Sequence, residues 1–302
     1  VLRFRICPAK DPRPISEDNG ETPEVPPEKQ MISKHGFTFV LIGLTVAWAS
    51  FAKADDLAKA SQNPIGDMVS LPFELWHYDG MPGDSSATAL MVKPVLPVNL
   101  GKVNLINRLI VPYLGVDANL SELDLGAKEV PPSDVRRDGF GNVQYQAFFT
   151  PAEPGRVMWG LGPVLELPSN TNDLGTDKWS AGAGVVALSM PGNWVVGLLA
   201  QNLWSFVGSD SARDVNKLTF QYFVNYNLSD GWYLTSTPVM TADWNKPSGE
   251  RWTVPVGGGV GRLVKLGKQP VDFKLQAFSH VVKPNSGPHW SVMAAVKLLF
   301  PK

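Results

Sequence analysis

VNKLTFQYFVNYNL, residues 215–228, separates into two interleaved sets with almost no mixing. Asn216, Leu218, Phe220, Tyr222, Val224, Tyr226 and Leu228 form one set; Val215, Lys217, Thr219, Gln221, Phe223, Asn225 and Asn227 form the other. Successive side chains of a strand point to opposite sides, so the segment carries one apolar and one polar surface. A strand this long, apolar outward and polar inward, suits a wall with lipid on one side and a wet lumen on the other.

Working outward, turn signals divide the chain from residue 68 onward into strands at roughly 68–78, 87–98, 103–116, 142–150, 156–168, 179–190, 194–207, 215–228, 232–244, 251–265, 271–283 and 290–300. The connections alternate between two classes. Asn99–Lys102, Pro151–Gly155, Pro191–Asn193, Ser229–Gly231 and Leu266–Pro270 are tight Gly, Pro, Asn and Asp clusters of hairpin size. Segments 79–86, 117–141, 169–178, 208–214, 245–250 and 284–289 are mostly longer. Short turns on one side and long loops on the other predict an all-β fold, a transmembrane antiparallel β-barrel of about 12 strands. The short turns would be periplasmic and the loops extracellular. Segment 68–78 is read as the first strand, with a plug inside the lumen as the alternative.

Tryptophan placement tests this independently. Trp179, Trp252 and Trp290 begin strands on the long-loop side and Trp244 ends one there, whereas Trp159, Trp194 and Trp232 lie near the short turns. Indole rings favour the bilayer interface, so these seven form an expected aromatic girdle. Pro94, Pro97, Pro112, Pro163, Pro238 and Pro255 each remove a ladder donor, which predicts bulges or broken pairing. The run Gly257–Gly261 predicts a kink, or a wall thinned where something packs inside.

The N-terminal region differs in character. Residues 1–30 hold six prolines among charges and read as a disordered or non-native upstream extension. Lys34 and His35 then precede the apolar run Phe37–Phe51 and the small-x-small site Ala52-Lys53-Ala54, so 31–54 reads as a signal peptide. Residues 55–67 would be a periplasmic segment and 68–302 the barrel. Removing 1–54 leaves 27 − 7 = 20 basic and 28 − 6 = 22 acidic residues, a formal −2 that argues against a nucleic-acid partner. The single cysteine, Cys7, lies in the removed part, which excludes a disulfide framework and a cysteine metal site downstream. Nothing after residue 54 supplies ~18 consecutive apolar residues, which excludes helical spanning.

Trp159-GLGPVLEL-Pro168, Gln201-NLWS-Phe206, Tyr226-NLSDGWYLTSTPVMTAD-Trp244, Arg251-WTVPVGGGVG-Arg262 and Lys297-LLFP-Lys302 together resemble one group of bacterial outer-membrane proteins. It is the family named for the meta-cleavage pathway of phenol degradation, often labelled a transporter or, misleadingly, neuromedin U. The resemblance covers roughly residues 60–302. It implies an outer-membrane barrel with a role in uptake of aromatic or other small compounds, and it supplies no catalytic or binding residues. The alternating ending Trp290–Phe300 resembles a barrel-assembly signal, except that Pro301 and Lys302 follow the terminal aromatic. The implied partners are outer-membrane lipids, the barrel-assembly machinery during biogenesis and a small-molecule solute.

The lumen-facing candidates are Arg108, Gln144, Lys217, Thr219, Gln221, Asn225, Thr235, Asp243, Arg251, Lys274 and Gln276. They would set the charge of a solute path, or pair with one another and fill a narrow barrel. His77, His280 and His289 are too scattered for a metal site, and no cofactor or enzyme activity is expected. Adjacent Ser279 and His280 point to opposite faces and cannot share a proton, which disfavours lipid hydrolysis. The expected function is passive passage of small apolar or aromatic solutes across the bacterial outer membrane. The alternative is a non-transporting structural or adhesive envelope barrel.

Overall fold

The computed structural model describes residues 52–119 and 134–301. The expected extension 1–30, the expected signal peptide up to residue 51 and the loop tip 120–133 lie outside the described residues. A helix α1 (Ala52–Ser61) leads into twelve staves. They are β1 (Val69–Met81), β2 (Ser85–Val92 continued by Val95–Asn99), β3 (Val103–Asn119) and β4 (Asp134–Phe140 continued by Gln144–Pro151). Next come β5 (Val157–Glu166), β6 (Lys178–Ser189), β7 (Trp194–Gly208) and β8 (Asn216–Asn227). The last four are β9 (Trp232–Ser236 continued by Val239–Asp243), β10 (Trp252–Leu266), β11 (Gln269–Val282) and β12 (Trp290–Phe300).

Each stave pairs antiparallel with its sequence neighbours, and β12 returns to β1 in register from Val69↔Phe300 to Asp79↔Trp290. The sheet therefore closes into a 12-strand antiparallel barrel with no free edge, the arrangement that satisfies backbone polar groups without water. Segment 68–78 is a strand and not a plug, and its pairing on both sides is what closes the cylinder.

The register traces two surfaces. Around part of the outer wall, Val260, Leu275, Ala294, Leu75, Leu90 and Tyr113 stand side by side. Leu75, Leu161, Val185, Leu234 and Leu275 are all solvent-accessible on this face. An apolar belt of that extent does not suit a surface in water. One rung inward, Gly261, Lys274, Ala295, Glu74, Met91 and Pro112 are neighbours.

The staves break where proline removes a donor. β2 is interrupted at Lys93-Pro94, β9 at Thr237-Pro238, and the register of β10 shifts at Pro255. The break in β4, at 141–143, lies beside Pro112, whose carbonyl accepts from Gly141 N. The hairpin Ser229-Asp230-Gly231 has positive φ at Asp230 (61°) and Gly231 (73°), as a mirror-image turn matching strand twist requires. Two connections differ from the sequence reading. The first long-class loop, 79–86, contracts to a single turn at Pro82–Asp84, because β1 and β2 continue pairing up to Met81↔Ser85. Segment 117–141 is mostly hairpin at its base: Tyr113–Asn119 pairs with Asp134–Phe140, extending the wall beyond its neighbours.

The chain enters the barrel at the short-turn end. Lys59 Nζ donates to the carbonyls of Met190 (2.9 Å) and Gly192 (2.6 Å) in the β6–β7 turn. Gln62 donates to Asn227 on β8 (2.7 Å), and Ile65 is buried among interior side chains. Ala58 packs against Leu263 and Leu299, with Leu57 and Met68 alongside. Residues 57–68 thus form a plug seated inside the short-turn end, held by both apolar contact and hydrogen bonds.

Candidate solute path

The interior has two chemically distinct halves. Inner faces of β3, β4, β6, β7 and β8 supply Ile106, Phe148, Val186, Leu188, Val195, Leu199 and Phe223, which pack around Ile65 of the plug. This explains why residues 179–190 and 194–207 are apolar on both faces: one side meets the exterior, the other an internal apolar cluster. The opposite half, built from β1, β2, β11 and β12, carries the charges. Glu74 accepts from Lys93 Nζ (2.6 Å) and Trp76 Nε1 (3.1 Å). Asp272 accepts from Tyr233 OH (2.7 Å) and Ser61 Oγ (3.5 Å), and Lys297, opposite it in the ladder, donates to the Ser61 carbonyl (2.8 Å). The plug is therefore anchored to the charged half through Ser61.

Between the halves lies a cavity of about 130 Å³. Glu74, Arg108, Lys274 and Lys297 line one side, Leu199 and Phe223 the other, and Gln62–Pro64 of the plug close it off. The glycine-rich inner face of β10 makes room beside it. A Cβ on Gly261 would run into the phenol ring of Tyr233, which is fully buried and reaches across to Asp272. The wall is thin there because a ring occupies the space.

The sequence-selected residues fall into three levels. Arg108, Gln221, Asn225 and Lys274 line the cavity. Gln144, Thr219, Thr235 and Gln276 sit on the inner wall. Gln144 shares 2.8 Å bonds with Gln146 and Gln201, and Thr219 lies between Gln201 and Thr241 in the ladder. Thr235 is buried in the wall. Gln276 accepts from Thr237 N (3.0 Å) and donates to Thr237 Oγ1 (2.7 Å), repairing the break at Pro238. Lys217 and Asp243 face each other at the long-loop rim, and Arg251 stands over the Trp244 ring at 5.4 Å. Glu74, Trp76, Lys93, Thr237, Asp272 and Lys297 also line the cavity but were not selected. Strict alternation in 69–81 and 290–300 is the available signal for three of them: Glu74 and Trp76 share one parity of the first strand, and Lys297 shares the inward parity of the last with Met293.

Trp159, Trp179, Trp194, Trp232, Trp244 and Trp290 are all exposed on the outer face, and Trp252 is partly so. Trp204 joins the long-loop belt at 50 % exposure, a position the sequence reading left out. Trp76 is instead internal, stacked between Tyr78 and Phe278.

Hydrolytic chemistry has one partial arrangement. Ser279 is exposed on the outer face, while His280 turns inward and its Nε2 lies 3.0 Å from Ser291 Oγ. Ser291 is 1 % exposed, and His280 Nδ1 is buried without a partner among the described residues, so no third group orients the imidazole as a nucleophile–base pair requires. Among the described residues no three His, Cys, Asp or Glu side chains group to hold a metal ion.

A closed antiparallel cylinder with an apolar exterior, tryptophan belts and a charged interior cavity defines a transmembrane β-barrel. No family model matches the chain, and no curated protein matches it in sequence. Among solved structures, it is similar to an outer membrane channel from Pseudomonas putida F1. The TM-score is 0.55 at 12 % identity, over 77 % of this chain and 96 % of that one. That likeness establishes the fold. Looser likenesses link it to the monoaromatic hydrocarbon channel CymD (TM-score 0.42, 11 % identity, 86 % and 95 % covered). Another is to outer membrane phospholipase A from Escherichia coli (0.41, 12 %, 84 % and 99 %). At those scores neither carries a functional argument.

Proposed function

We propose that this chain is a bacterial outer-membrane channel for small apolar or aromatic solutes, of the meta-cleavage family that its motifs resemble. The carrying observation is the cavity of about 130 Å³ that lies between an apolar and a charged half of the lumen. Its size suits a single small solute, since pockets for drug-sized molecules span roughly 300–1,000 Å³. The plug at the short-turn end supports a gated route in preference to a wide pore, and outer-membrane lipid would contact the tryptophan belts.

The filled interior favours one competing reading, a non-transporting envelope barrel. Planar-bilayer conductance and liposome uptake of benzyl alcohol separate the two, measured on the intact protein and on an in-frame deletion of residues 57–65. The channel reading expects low conductance and measurable uptake in the intact protein, both rising on deletion. No uptake by either form would refute it.

A further inference from the structure

We propose that the lumen cavity is a binding site for a small aromatic carboxylate, held by Arg108 with Lys274 beside it. This rests on the channel reading and specifies the charge class of its solute. Six ionisable side chains line the cavity: cations Lys93, Arg108, Lys274 and Lys297, and carboxylates Glu74 and Asp272. Four positive and two negative groups leave a formal excess of two positive charges facing one small cavity.

Both carboxylates accept their hydrogen bonds from other donors, and Glu74 also lies within electrostatic reach of Arg108 and Lys274 without hydrogen-bonding either. Glu74 accepts from Lys93 and Trp76, and Asp272 accepts from Tyr233 and Ser61. Lys297 spends a donor on the plug at Ser61. Arg108 Nη1 is buried and has no hydrogen-bond partner among the described residues. A buried guanidinium donor without an acceptor is costly unless an anion completes it. Its planar fork matches a carboxylate, which can accept two parallel bonds. Across the cavity stand Leu199 and Phe223, with Trp76 also on the lining, an apolar wall for the ring of the same molecule. A charged end and an apolar end facing one another select an amphipathic anion over either a neutral ring or an inorganic ion.

The test uses the full-length chain folded in detergent micelles, with folding checked by heat-modifiable gel mobility. Benzoate, benzyl alcohol and inorganic phosphate are titrated calorimetrically against wild type, R108Q, R108K and K274Q. Benzoate should bind at least about tenfold more tightly than benzyl alcohol or phosphate, one charge-assisted bond being worth roughly that factor. R108Q should lose about tenfold or more, K274Q less, and R108K should recover part of the loss.

Equal binding of benzoate and benzyl alcohol, or benzoate binding unchanged in folded R108Q, overturns the proposal. So does phosphate binding as well as benzoate, which would assign the cations to a simple inorganic ion. If benzoate fails in these ways while liposomes still take up benzyl alcohol, the carboxylate site falls and the channel stands. If no solute enters by any measure, the channel reading falls as well.

Discussion

Replacing Tyr233 by Phe removes one hydroxyl and leaves the ring. The ring is fully buried and fills the space above Gly261, so packing is retained and the change isolates a single interaction. That interaction is the 2.7 Å bond from Tyr233 OH to Asp272 Oδ1. Asp272 is 2 % exposed, and its remaining hydrogen bond, from Ser61 Oγ, is long at 3.5 Å. A hydrogen bond to a charged group is worth about 1.5–3 kcal/mol, and an acceptor left buried costs toward the upper end. The expected result is a loss of ~2 kcal/mol in urea-driven unfolding from phospholipid vesicles, followed by tryptophan fluorescence and gel mobility. Groups in one network are not additive, so Y233F combined with D272N should cost clearly less than the two single changes summed. A loss below about 0.5 kcal/mol in Y233F, or strict additivity in the double variant, refutes the argument that this bond braces the plug anchor.

Two further outcomes follow from the outer wall and the loops. Leu275 is 54 % exposed at mid-strand on the outer face, so Leu275→Arg should destabilise insertion by roughly 2–4 kcal/mol. Equal folding yields of L275R and wild type into vesicles would contradict a lipid-facing wall at that position. In the connection after β7, Lys178 donates to Asp214 at 2.6 Å and holds its carboxyl below the ordinary 3.8. The tether is therefore complete above the ordinary value and lost as pH falls through the lowered one. Amide exchange across 209–215, corrected for intrinsic rate, should be slower at about pH 6 than at about pH 2, well below the ordinary carboxylate range, in wild type. The difference should vanish in D214N, and a pH response that survives the substitution counts against the tether.

The barrel was legible because its signals are local. Alternation in 215–228 and 271–283, turn clusters such as Ser229-Asp230-Gly231, and prolines that break pairing each act within a few residues. Loop 79–86 was misjudged because the length of a connection depends on how far its two strands keep pairing, which here continues to Met81↔Ser85. Site residues were less legible. Arg108 and Lys274 carry visible charges on polar faces, whereas Lys93 sits at the Lys93-Pro94 break, where inner and outer faces are hard to assign. Trp76 was hidden for a different reason: an indole inside the lumen looks the same in sequence as one in the girdle.

The amino-acid order by itself decided that the strands alternate, where they turn, and that their apolar faces need something other than water. Period-two patterning and turn chemistry act between near neighbours and need no knowledge of distant partners. Only the tertiary structure decided which side chains meet. Closure pairs β12 with β1, and the ladder register then sets Asp272 beside Lys297 while Arg108 faces a shared cavity with Lys274, groups far apart along the chain. It also decided that residues 57–68 turn inward to plug one end, because burying Ala58 and Ile65 against interior side chains outweighs leaving them in water.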